Sequence, residues 1–155
     1  MLNFFYGDLR KPSSTTHLRG NLTTFDQSDF FHVSSPALYS MDSTGYVYIP
    51  SGCQSKTTRC KLHIAIHGCG QGRTVISEAY VRHAGYNEVG ELNNIIILYP
   101  QVIKTPTNLQ GCWDWFGYTG PAFGKPRFLP TYLCMCLVTS INRAIRRRAM
   151  SATER

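Results

Sequence analysis

Acidic side chains are scarce in this 155-residue chain: 9 Asp and Glu stand against 16 Lys and Arg, a formal net charge of +7. The imbalance is local. Residues 1–120 carry 9 basic and 8 acidic side chains, whereas residues 121–155 carry 7 basic and 1 acidic, above all in "RAIRRRAM". A basic end on an otherwise balanced chain reads as a solvated tail, so no nucleic-acid partner is expected. Long hydrophobic runs are also missing. The best, "FLPTYLCMCLVTSI", contains Pro130 and falls short of the roughly 18 apolar residues a membrane span needs. No membrane association is expected. The N-terminus, "MLNFFYGDLRKP", lacks a basic segment ahead of an apolar stretch and so does not read as a signal peptide. Neither the Walker phosphate loop nor G-x-G-x-x-G occurs. The cysteines at 53, 60, 69, 112, 134 and 136 form C-x6-C and C-x-C pairs rather than the C-x2-C pairs of zinc sites. No metal and no cofactor are expected. G-x-S-x-G, the turn that presents a nucleophilic serine, is absent too.

What is present is a globular composition, 43% apolar and 12% aromatic, at the length of about one domain. Residues 10–23 are polar and loop-like, and "FDQSDFF" at 25–31 is too mixed to assign. "TGYVYIP", 44–50, is rich in strand formers and closes at Pro50, which has no N–H to give a ladder. A polar loop with Cys53 and Cys60 at its ends follows. "LHIAIH", 62–67, has the length and apolarity of a strand and is broken by Gly68, Gly70 and Gly72. Residues 75–92 have Val75, Ala79, Val81, Tyr86, Val89 and Leu92 near one helical face, which predicts one helix weakened at Gly85 and Gly90. "NIIILYP", 94–100, reads as a strand buried on both faces. Strand, helix, strand makes a βαβ unit with parallel strands. The glycine loop then sits at a strand's C-terminal end, where open α/β sheets place their sites.

Two stretches carry candidate chemistry. "HGCGQ", 67–71, is a small loop between a strand and a helix. Such a loop can aim a backbone N–H at the oxygen that gains charge when an ester is cleaved, an interaction worth ~3–4 kcal/mol per donor. It can equally be an ordinary tight turn. "GCWDWFGYTG", 111–120, sets Trp113, Trp115, Phe116 and Tyr118 between glycines, which suits either a groove lining or a core cluster. Asp114 is suited to orienting an indole or a turn, and nothing marks it as a general base. The histidines at 17, 32, 63, 67 and 83 lack the serine and aspartate context of a relay; each reads as structural.

Taken together, "GYVYIP", "CKLHIAIHGCGQ", "HAGYNEVGELNNIIILYPQ" and "GCWDWFGYTG" resemble the extracellular poly(3-hydroxybutyrate) depolymerase family, circularly permuted α/β-hydrolases, over residues 1–123. Residues 124–155 do not match and read as a divergent basic tail. The resemblance implies an α/β fold: a partial α/β-hydrolase, cut on its N-terminal side, with a parallel βαβ unit and an added strand. In that family the nucleophilic serine and its Asp and His partners lie N-terminal to the segment matched here. What the resemblance leaves to this chain is the Cys69 N–H as an oxyanion donor, with His67, Gly68 and Gly70 shaping its loop. Trp113 and Trp115 are left to face substrate. It implies a secreted serine-type ester hydrolase segment with a polyester or other ester as substrate, no specific protein partner, and no activity alone. The alternatives are a binding module for polymer or glycan and a product that does not fold. Six cysteines allow many pairings; Cys53 with Cys60, and Cys69 with Cys112, are the expected ones, leaving Cys134 and Cys136 in the tail. With other strands of the family's sheet missing, strand 94–100 is expected to have exposed apolar neighbours beside an open edge.

Overall fold

The computed structural model describes residues 1–31, 35–55, 58–120 and 123. The tail, with Cys134, Cys136 and the arginine run, lies outside them. In chain order come α1 (Leu2–Tyr6), β1 (Asn21–Asp26), β2 (Thr44–Ile49), β3 (Lys61–Ile64), α2 (Arg73–Ile76), α3 (Ala79–His83), α4 (Tyr86–Asn93) and β4 (Ile95–Tyr99), with single 3-10 turns at Ser28–Phe30, Pro36–Tyr39 and Ser51–Cys53. The four strands form one mixed sheet in the order β1-β2-β4-β3. β1 and β4 each run antiparallel to β2, and β3 runs parallel to β4. The architecture is α/β, and the βαβ unit spans β3 to β4.

β4 organises the core. Its residues alternate between two buried clusters: Ile96 and Leu98 join Met41, Val47 and Val102 on one face, and Ile95, Ile97 and Tyr99 join Tyr46, Tyr48, Ala65 and Val81 on the other. Each aliphatic side chain so buried contributes about 1.5–3 kcal/mol. A strand apolar on both faces needs cover on both, and only the middle of a sheet provides it. The exposed apolar neighbours and open edge expected of this strand lie beside it, not on it. β4 is paired on both sides and buried along its whole length. The openness falls one strand over, at β3, where Leu62 and Ile64 are half-buried and Ile66, just beyond the strand, is 52% exposed.

Two expectations are corrected. The single helix over 75–92 is three short ones. Ser77 (φ 55°) stops α2, and Gly85 (φ 79°) separates α3 from α4; a left-handed residue cannot propagate the i→i−4 ladder. Gly90 does not break α4. A Cβ there would lie 2.6 Å from the Ile95 carbonyl oxygen, so the missing side chain lets the helix lie close on β4. Val75, assigned to the apolar face, is exposed, whereas Val81 is buried. The second correction is β1, which begins inside the stretch read as loop. Its own burial pattern is weak, and it is extended because it pairs with β2 across six residues.

Candidate functional site

The loop after β3 begins while the sheet is still bonded: the Ala65 N–H donates to Leu98 O at 2.8 Å. Two residues on, His67 is 2% exposed, its ring 5.8 Å from that of Trp113 and 6.1 Å from that of Tyr80. Its Nδ1 lies 2.8 Å from Gly68 O, and its Nε2 lies 3.2 Å from the Val102 amide nitrogen. A carbonyl can only accept and an amide N–H can only donate, so the ring is neutral with its proton on Nδ1. Burial pushes the His67 pKa below the usual histidine value, against the opposing pull of the Gly68 carbonyl. His63 is also pushed down by burial; it meets Tyr6 Oη at 3.2 Å and stacks on Tyr86. Both histidines are taken up structurally, as their sequence context suggests.

Gly72 lets this arrangement close. A Cβ there would stand 2.3 Å from Val102 O and within 3.4 Å of the His67 ring. Residues 68–71 form a turn in which Gln71 N donates to Gly68 O at 3.1 Å and Gly68 N donates to Gln71 Oε1 at 2.9 Å. Gly70 takes the left-handed φ of 67° that the turn demands, and its N–H donates to Gln110 O at 2.7 Å. The amides on either side of Cys69 are thus bonded, while the Cys69 N–H has no acceptor among the described residues. The Cys69 side chain is tied to Cys112 by a disulfide, Cα–Cα 4.2 Å, which joins this turn to the aromatic loop. Cys53 and Cys60 form a second disulfide at the entrance to β3.

The aromatic loop is built on Asp114. Its Oδ1 accepts from Gly117 N at 2.7 Å and Tyr118 N at 3.0 Å, and its Oδ2 accepts from Thr119 N at 3.0 Å and from the Thr119 hydroxyl. Burial opposes the charge, but these donors outweigh it and hold the carboxyl below the usual range. Of the two uses open to Asp114, orienting a turn is the one realised. The loop's base is fixed by Asn108, whose side chain bonds both the N–H and the C=O of Cys112. The two tryptophans have different settings. Trp113 packs half-buried against the Val47–Leu98 cluster, whereas Trp115 is 73% exposed with its ring 5.3 Å from that of Phe116. The structure brings Cys69, His67 and Trp113 into one neighbourhood and turns Trp115 outward.

A buried polar frame under the loop is not evident from the sequence. Gln27 Nε2 donates to Asp42 O and Gln101 O, and Gln27 Oε1 accepts from Gln101 N. Gln101 Oε1 in turn accepts from Arg73 N, the first residue of α2. Arg73 Nη2 donates to Asp42 Oδ1 at 3.2 Å; its Nε lies 2.9 Å from Oδ2 but is not aligned for a hydrogen bond, so that contact is an ion pair only. Every polar atom of the two buried amides has a partner, which is the condition for burying them. Polar residues within apolar runs, such as Gln101 directly after "IIILYP", are the one sequence signal that could have found this frame.

No model of a protein family matches the chain. Individual proteins do. A poly(3-hydroxybutyrate) depolymerase of Delftia acidovorans is 40% identical over 126 residues, which are 81% of this chain and 24% of that protein. A polyhydroxybutyrate depolymerase of Talaromyces funiculosus is 38% identical over 130 residues, 77% of this chain and 37% of that protein. The crystal structure of PHB depolymerase from Penicillium funiculosum superposes with a TM-score of 0.69 at 38% identity, covering 77% of this chain and 39% of that one. A PHB depolymerase variant complexed with an R3HB trimer gives a TM-score of 0.67. The chain therefore spans between about a quarter and two fifths of the proteins it matches. Over this shared stretch, in sequence and in fold alike, the chain belongs to the poly(3-hydroxybutyrate) depolymerase family, of which it spans a part.

Proposed function

We propose that residues 1–123 are part of the catalytic domain of a secreted serine-type hydrolase acting on poly(3-hydroxybutyrate)-like polyesters, the part that carries the oxyanion loop and the aromatic substrate loop. The observation that carries the reading is the Cys69 amide. It lies in the loop that follows a parallel strand, its residue is tied to the aromatic loop by a disulfide, and among the described residues it has no acceptor, between two amides that have one. A donor held in place for charge that appears only in the transition state costs no reorganisation when it is used. Exposed Trp115 and Phe116, on a loop tied to the same disulfide, suit the apolar face of a polyester chain. A related enzyme solved with an R3HB trimer supports a 3-hydroxybutyrate ester as the substrate class. Disulfides at Cys53–Cys60 and Cys69–Cys112 suit an oxidising, extracellular setting.

The chain alone is inactive in this reading, because it holds no G-x-S-x-G turn and both the half-buried His63 and the buried His67 are committed to structural contacts. The test is hydrolysis of p-nitrophenyl butyrate by purified protein, with fluorophosphonate labelling alongside. Turnover at the buffer level is expected. Turnover abolished by the fluorophosphonate, with a labelled serine in this chain, would overturn the assignment. The exposure of Trp115 also favours a second reading, in which the chain is a polymer- or glycan-binding module. Retention on polyester film and on a polysaccharide matrix, compared side by side, separates the two: retention on the polysaccharide alone supports the second.

A further inference from the structure

We infer that His67 is a positioning residue for the Cys69 N–H, acting through the Gly68 carbonyl. The inference rests on reading Cys69 as the oxyanion donor and adds what aims it. A trans peptide points its C=O and the following N–H in opposite directions, and the unit formed by Gly68 C=O and Cys69 N–H is trans. Whatever fixes the carbonyl therefore fixes the amide. Two donors hold Gly68 O: His67 Nδ1–H at 2.8 Å and Gln71 N–H at 3.1 Å. The His67 ring is itself anchored 35 residues away, where its Nε2 accepts from Val102 N at 3.2 Å. Val102 is buried and follows the central strand β4. The imidazole is thus a rigid strut from the sheet to the peptide plane. The disulfide restrains the Cys69 side chain, and Gly70 N to Gln110 O restrains the next peptide, but neither sets the rotation of the plane between 68 and 69. Donation into the carbonyl also polarises the peptide, which strengthens the N–H as a donor on the far side.

A buried histidine that merely filled space would need neither tautomer. The strut needs the proton on Nδ1, and it divides the two conservative replacements. Asn at 67 places an amide nitrogen near Nδ1 and can keep the bond to Gly68 O. Gln at 67 reaches toward Nε2 and can keep the bond to Val102 only. The experiment uses the full chain labelled with nitrogen-15, with the Ile96 and Leu98 amides as controls for an intact sheet. Long-range proton–nitrogen correlation on the wild-type ring is expected to show protonated Nδ1; protonated Nε2 overturns the proposal with no variant required. The Cys69 amide order parameter is expected to stay near the rigid value of about 0.85 in wild type and His67→Asn, and to fall below about 0.6 in His67→Gln. Equal values in the two variants overturn it. Acetate serves as the carboxylate probe. It is expected to shift the Cys69 amide in wild type, with an apparent affinity weakened about 3–10-fold in His67→Gln, the value of one hydrogen bond. Order parameters as expected with no acetate shift in wild type would overturn the oxyanion reading itself, while an acetate response equal in wild type and His67→Gln overturns the positioning role.

Discussion

Removing the Cys69–Cys112 disulfide, by the double substitution Cys69→Ala and Cys112→Ala, is expected to be the most damaging of the cysteine changes. The bond closes a loop of sequence separation 43, and Cys53–Cys60 closes one of 7. Confining the unfolded chain by loops of these sizes costs it about 13 and about 8 cal/mol/K of entropy, or about 4 and about 2.4 kcal/mol at 25 °C. For a chain of this size each kcal/mol moves the thermal midpoint by roughly 2–4 °C, so the long pair should lower it by about 8–16 °C and the short pair by about 5–10 °C. The native state adds to the difference. The long bond joins the 68–71 turn to the aromatic loop, where the Gly70 N–H to Gln110 O bond is a nearby reporter. Reversible urea unfolding followed by circular dichroism, with each double variant measured against wild type, checks the magnitude. Amide exchange at Gly70 checks the local effect and should quicken only in the long-pair variant. An m-value that rises without the long bond would show the unfolded chain expanding, as the entropic account requires. A loss below about 1 kcal/mol, or a loss equal to that of the short pair, would refute the reasoning.

The other expected outcomes concern the aromatic loop and the histidines. Trp115→Ala should change stability by no more than about 0.5 kcal/mol, because the ring is exposed, yet should abolish retention on polyester film. Trp113→Ala, which empties a place against the Val47–Leu98 cluster, should cost about 3 kcal/mol by urea titration. Asp114→Ala leaves the amides of Gly117, Tyr118 and Thr119 without their acceptor; a loss of about 2 kcal/mol and faster exchange at those three positions are expected, and unchanged exchange would contradict the role given to this carboxylate. Burial lowers the pKa of His63 and His67, so below the ordinary histidine value of about 6.5 the unfolded chain binds more protons than the folded one. Their contribution is present above that pH and is lost as pH falls through it, so the urea midpoint should be lower at pH 5.5 than at pH 7.5. A midpoint unchanged between the two would exclude buried neutral histidines.

The sequence by itself determined those features that rest on local chemistry. A run of three isoleucines followed by Leu and Tyr has too much apolar surface for any place but the middle of a sheet, and β4 is found there. "TGYVYI" is β2 to the residue, because branched and aromatic side chains fit a pleated surface and Pro50 ends it. The motifs that carry the family resemblance are contiguous stretches, so they too could be read without a structure. Tertiary structure decided what depends on distant partners. β1 is a strand because β2 lies beside it. Three helices replace one because the backbone takes a positive φ at Ser77 and Gly85, while Gly90, also expected to weaken the helix, sits inside α4 and lets it lie close on β4. Trp113 and Trp115 stand two positions apart in one motif, and only packing sends one inward and the other to solvent. The same holds for His67. Its neighbours in sequence say loop, but its proton is placed by Val102, an amide 35 residues away, because a buried ring nitrogen must take whichever role its partner leaves open.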